Sequence, residues 1–120
     1  MSAGVVELPV LLMRRVVLES PYAGNVERHV RYARAALADS LARGEAPIAS
    51  HLLHTQVLDD TQPAQRQVGV RAGHAWITMA DAVVVYADLG LSPGMRMGMA
   101  VAELRGVPVE HRFLRGEWAS

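Results

Sequence analysis

The stretch "DAVVVYADLGLSPGMR", residues 81–96, decides the fold. Its first half holds an uninterrupted apolar run from Ala82 to Tyr86, with three consecutive valines. A strand carries such continuity, in place of alternation, when both faces of its sheet are covered. The second half opens a helix. Ser92 suits the N-cap, Pro93 the first helical position, and Gly94 follows. A doubly covered strand that runs directly into a helix belongs to an α/β sheet.

Working outward, "RRVVLE" (14–19) is a second β-branched run and ends at the turn-rich "SPYAGN" (20–25). From Asn25 to Arg43, apolar residues at 26, 30, 33, 37 and 41 share one helical face, with Glu27, Arg28, Arg31 and Arg34 off it. Asn25 is the expected N-cap and Gly44 the expected stop. "APIAS" (46–50) reads as a brief buried strand, and "HLLHTQVLDDTQ" (51–62) as a short helical turn and loop. Pro63 opens another helix to about Ala80, and "VPVEHRF" (107–113) closes as a strand. The order β-α-β-α-β-α-β predicts a parallel sheet with helices on both faces, joined by right-handed crossovers. Ligands bind such sheets at the strands' C-terminal ends, where strand order reverses. With the first and third strands as central neighbours, the segments after the first three strands converge there.

The 120 residues support one domain, with 51% hydrophobic residues, zero formal net charge and no cysteine. The balance speaks against nucleic-acid binding, and the absence of cysteine excludes disulfides and thiolate metal sites. The basic residues near the N-terminus follow the apolar tract instead of preceding it, so no signal peptide is expected. No apolar run reaches the ~20 residues that span a bilayer. A cytoplasmic location, without membrane partners, is the resulting expectation.

Several residues are candidates for chemistry. Ser92, Gly94, Met95 and Arg96 form a helix N-terminus that suits a phosphate or carboxylate; a well-capped helix without ligand is the plain alternative. Ser20, Pro21, Tyr22 and Gly24 precede a helix at the first strand's end, where Tyr22 would stack on a base or bind a sugar hydroxyl. Here the alternative is an ordinary turn. Glu19 and Asp88 lie at the ends of strands and are either reacting carboxyls or groups tied to solvent and backbone N–H. His51 suits a polar ligand better than a metal, because His51 and His54 lack a third ligand at metal spacing. Gly69 and Gly73 point to close helix packing, within the chain or between subunits. Trp76 and Met79 read as core. Met95, Met97 and Met99 cannot all face one side of a helix, so some must face the cleft or a partner.

"SPYAGNVERHVRYAR", "PIASHLLHTQVLDD", "ADAVVVYADLGLSPGMR" and "ELRGVPVEHR" resemble, in order and spacing, an uncharacterised bacterial and phage branch of the nucleoside 2-deoxyribosyltransferase-like superfamily. The resemblance covers about residues 14–113. It implies a doubly wound, flavodoxin-like (Rossmann-like) sheet of four to five strands, and a nucleoside or nucleotide whose N-glycosidic bond lies over the helix after Ser92. It further implies a domain over 14–120, with residues 1–13 as an extension that is the least regular part. Tyr22, Asp88, Gly94 and Arg96 match positions expected near the ligand. In the transferases the helix carries a glutamate nucleophile four residues after the motif glycine, and counting four from Gly94 gives Gly98. Glu103 cannot substitute, being rotated about 140° from that face.

The leading expectation is therefore a nucleoside- or nucleotide-binding protein without the usual nucleophile, in which Gly98 admits a ligand close to the helix. The alternative is an N-glycosidase or deoxyribosyltransferase with its carboxylate relocated to Glu19 or Asp88. A structural protein with a vestigial cleft is the third reading. No resident cofactor is expected, and a homo-oligomer is.

Overall fold

A computed structural model describes residues 8–119. Four strands and four helices follow one another as β1 (Arg15–Glu19), α1 (Val26–Ala42), β2 (Ala46–Ile48), α2 (Ser50–Leu53), α3 (Pro63–Ile77), β3 (Ala82–Tyr86), α4 (Pro93–Leu104) and β4 (Val109–Arg112). All strand pairs are parallel and the sheet order is β2-β1-β3-β4. The fold is thus an α/β, doubly wound, flavodoxin-like parallel sheet. β1 and β3 are the central neighbours, and strand order reverses between them.

Each face of the sheet has its own core. Val16, Leu18, Val84 and Tyr86 pack against Tyr32 and Ala36 of α1. Val17, Val83 and Val85 point the other way, onto Ile77 of α3 and Met95 and Ala102 of α4. The alternation of side chains along β1 continues into Glu19, which therefore belongs to the α3/α4 face. Asn25 caps α1 by accepting the Arg28 N–H, and Ser92 caps α4 by accepting the Met95 N–H at 3.2 Å. Gly44 ends α1 in the left-handed region at φ +81°, a conformation that favours glycine.

Two details depart from the sequence reading. The buried stripe of α1 is Tyr32, Ala33, Ala36 and Ser40, whereas Val26 and Leu41 are exposed. The rotation brings two hydroxyls inside, where each has a partner. Tyr32 donates to Asp88 at 2.6 Å, and Ser40 donates to Glu45 at 2.8 Å. Trp76 and Met79 are exposed rather than core. The inner side of α3 is taken by Gly73 and Ile77, which leaves that stripe outside. The leading part of the expected extension, residues 1–7, lies outside the described residues; Val10–Leu12 form a 3₁₀ turn ahead of β1, outside the sheet.

Glu45 and Arg112 form a buried two-pronged ion pair, each prong 2.7 Å long. Ser40 and Tyr86 donate and accept at its edges, so the remaining polar atoms are matched. Removing Arg112 leaves the buried Glu45 carboxylate only the Ser40 hydroxyl and a longer contact to the half-exposed Arg14. Arg112→Leu is expected to lower the unfolding free energy by ~3–5 kcal/mol in denaturant titrations.

Candidate functional site

A cavity of about 380 Å³ opens at the C-terminal ends of β1 and β2, between α2, α3 and the start of α4. Its size falls within the ~300–1,000 Å³ of small-molecule sites. Glu19, Ser20, Tyr22 and Gly24 form one wall, and Ser92, Gly94 and Met95 another. His51 lies on the third. Three loops that are far apart in sequence thus meet at the switch point between β1 and β3. Pro21 is buried but does not reach the cavity surface, and Arg96 is exposed and away from it.

Asp88 does not line the cavity either. Its carboxylate accepts the Tyr32 hydroxyl and the backbone N–H groups of Leu114 and Arg115, at 2.6 to 2.9 Å. Burial alone would raise its pKa, but these three donors outweigh it and hold the group below the usual carboxylate range. Asp88 clamps the C-terminal segment to α1 and the end of β3. Its lone pairs are committed to structure.

Glu19 is the opposite case. No hydrogen bond or ion pair reaches its carboxyl among the described residues, and burial raises its pKa to about 8. The carboxyl rests on α4 at Gly98. A Cβ at position 98 would lie 2.8 Å from the Glu19 Cδ and from Oε2. The helix position without a side chain is therefore filled from β1 by a carboxyl. Gly98 does not line the cavity itself; it is the floor on which Glu19 sits.

Beside Glu19, the Ser20 hydroxyl and His51 Nε2 are 2.7 Å apart. Burial lowers the His51 pKa to about 4, so the ring is neutral at physiological pH. Burial thus leaves both the His51 imidazole and the Glu19 carboxyl neutral where they line the cavity. The Tyr22 ring meets the His51 ring edge-on at 6.5 Å.

The sequence reading missed the contribution of α3. Gln65, Arg66, Val70 and His74 line the cavity, together with His54 and Asp60 before the helix. Gly69 and Gly73 carried the signal. A Cβ at Gly73 would lie 2.5 Å from the Ser50 hydroxyl oxygen, and one at Gly69 would lie 3.3 Å from Leu58. These glycines let α3 press on α2 and the turn after it, which swings their neighbours into the cleft. His54 Nδ1 is buried there without a partner among the described residues. Among the described residues no group of three or more histidines and carboxylates is arranged to hold a metal ion, and no helix is long and apolar enough to cross a membrane.

A family described as a domain of unknown function (DUF7768) matches residues 14–112. The chain belongs to that family. No curated protein and no solved structure matches it significantly. In this DUF7768 chain the matched span runs from the start of β1 to the end of β4 and so contains every wall of the cavity.

Two outcomes follow from the seat of Glu19. Its folded pKa lies above the ordinary 4.5, so the folded chain holds a proton between about pH 4.5 and 8 that the unfolded chain has released. Stability is present below that window and lost as pH rises through it. Glu19→Gln, neutral throughout, is expected to gain stability over the wild type by on the order of 4 kcal/mol at pH 8 and by less than about 1 kcal/mol at pH 5. Thermal melts at both pH values check this. Gly98→Ala is expected to stay within ~1 kcal/mol of wild type, since the helix gains propensity while the flexible carboxyl swings away. Carbon-detected NMR titration should then find Glu19 titrating closer to 4.5 than to 8.

Proposed function

We propose that the cleft takes a nucleoside or nucleotide and that Glu19 is the carboxyl that acts at its N-glycosidic bond. The observation that carries this reading is the unpartnered Glu19 carboxyl seated on Gly98, facing a cavity of nucleoside size. An ionisable group left buried without a partner costs stability, and such groups concentrate where chemistry is done. In the deoxyribosyltransferase-like superfamily, which the chain resembles, a glutamate rises from the helix. Here the side chain would come from the neighbouring strand to the same helix position. This is the relocated carboxylate, with Glu19 and not Asp88 in the role.

Cleavage of an N-glycosidic bond develops positive charge on the sugar and negative charge on the departing base. A carboxyl that is neutral in the empty cleft answers both. As the bond between the anomeric carbon and the base nitrogen breaks, the Glu19 proton passes to the base. The carboxylate left behind faces the oxocarbenium-like carbon. Water, or the N–H of a second base, then adds to that carbon and gives its proton to the Glu19 carboxylate, which restores the acid. The α4 N-terminus, with Ser92 and Gly94, suits a phosphate or sugar hydroxyl, and Arg66 adds a cation at the same cavity. Tyr22 offers an aromatic edge to a base.

A second reading is binding without turnover. It draws support from the scarcity of carboxylates: apart from Glu19, the only one lining the cavity among the described residues is Asp60. Hydrolysis with inversion calls for a second carboxylate to activate water.

Incubation with nucleosides and nucleoside monophosphates, followed by chromatography for free base, separates the two. Base release is expected, falling as pH rises through about 8, and reduced ~10²–10⁴-fold in Glu19→Gln. A melt stabilised by a monophosphate, without base release and unchanged in Glu19→Gln, would instead establish the binding module. A melt that no nucleoside or nucleotide shifts, with no base released, would reject both.

A further inference from the structure

The cleft does not end at the first cavity. Past Tyr22 it continues into a groove of about 520 Å³, and Tyr22, Thr55, Asp60 and Arg66 line both spaces. Glu19, Ser92 and Gly94 line the first cavity alone. The passage between the two spaces thus carries a carboxylate and a guanidinium. No ion pair holds either of them among the described residues, with each other or with a third group. Asp60 ends the "LDD" of residues 58–60, a segment of the family resemblance to which neither the core nor the chemistry at Glu19 gives a role. The turn that presents it is braced. Asp59 Oδ1 accepts the Thr61 N–H and the Thr61 hydroxyl at 3.0 and 2.6 Å, and the Asp59 N–H donates to Gln65 Oε1 at 2.7 Å. Gln65 and Arg66 are neighbours in the first turn of α3, so the same brace sets Arg66 relative to Asp60.

We infer that this passage selects guanine, with Asp60 accepting from the N1–H and the N2 amino group and Arg66 donating to O6 and N7. The inference rests on the reading of the cleft as a nucleoside or nucleotide site. A ligand whose glycosidic bond lies at Glu19, with its sugar toward α4, extends its base toward the passage. Guanine sets two donor atoms beside two acceptor atoms, which is what a carboxylate and a guanidinium on one passage require. Adenine reverses both contacts: its amino group would meet Arg66 and its bare N1 would meet Asp60. The pyrimidines lack the N7 acceptor. Tyr22, on the same passage, offers the base a stacking surface. A 5′-phosphate is the other group that a guanidinium takes, but Asp60 on the same passage would repel it.

Calorimetry of the full chain with guanosine, inosine, xanthosine and adenosine tests the inference, with Glu19→Gln standing in wherever base is released. Guanosine is expected to bind ~10–100-fold more tightly than adenosine, and inosine, without the N2 amino group, to fall between. Asp60→Asn replaces one acceptor by a donor. It is expected to weaken guanosine ~10–100-fold and to bind xanthosine, which carries an oxygen at C2, more tightly than the wild type does. Mere disturbance of the turn would not gain that ligand. Arg66→Gln is expected to weaken guanosine and guanosine monophosphate by the same factor. Equal affinity for guanosine and adenosine, or no gain of xanthosine in Asp60→Asn, would overturn the base assignment and leave the nucleoside reading standing. A loss in Arg66→Gln confined to the monophosphate would likewise overturn it and give Arg66 to the phosphate. Absence of binding by every nucleoside and monophosphate would reject both the assignment and the reading beneath it.

Discussion

The structure depends on one constraint: strand β3 buries every side chain from Ala82 to Tyr86 while hydrogen-bonded to a strand on each side. A strand with no solvent face needs helices above and below it. With right-handed crossovers, that need sends α1 to one face and α3 and α4 to the other. The reversal of direction then falls between β1 and β3, and the cleft opens there because no helix covers that point. The position of the cavity is thus a consequence of how the core is closed.

Glu19 and Glu45 show how far environment separates two residues of the same kind. Burial would raise both pKa values. Glu45 meets Arg112, Ser40 and Arg14, and these partners outweigh burial and hold it low as a structural anion. Glu19 meets only the backbone of a helix at Gly98, so burial prevails and the group keeps its proton near neutral pH. One glutamate joins the residue before β2 to the end of β4. The other stands at the end of β1 with nothing to neutralise it, which is the arrangement expected of a group kept for a ligand. Asp88, at the end of β3, belongs with Glu45: its donors are backbone N–H groups and a tyrosine hydroxyl from the fold itself.

The glycines divide by the same logic. Gly24 and Gly44 serve backbone conformation at positive φ. Gly73 and Gly98 serve proximity: the first lets α3 approach the Ser50 hydroxyl, and the second lets the Glu19 carboxyl approach α4. The second pair builds the cleft and brings Arg66 and His74 into it. A glycine inside a helix costs stability relative to alanine, so both positions give up helix propensity for a contact made across the tertiary structure.

The order of elements, the double coverage of the sheet, the caps at Asn25 and Ser92 and the switch point were all legible in the sequence. Each rests on local periodicity or on the stereochemistry of a few adjacent residues. Glu19 and Gly98 were both legible as singular residues, one a charge ending a buried strand and the other a gap in a helix. That they answer each other was not, because 79 positions separate them (98 less 19) and only the pairing of β1 with β3 beneath α4 brings them together. The same limit explains Tyr32 and Ser40 turning inward on α1, and Trp76 turning outward on α3. Hydropathy ranks a hydroxyl as surface and an indole as core. Whether a hydroxyl finds Asp88 or Glu45 inside, and whether a helix has already covered its inner face with Gly73 and Ile77, is decided only when the layers pack. The sequence alone determined which segments are strands and helices and where the cleft opens. The tertiary structure alone decided which carboxylate stays free in that cleft, because freedom from partners is a property of the surroundings and not of the residue.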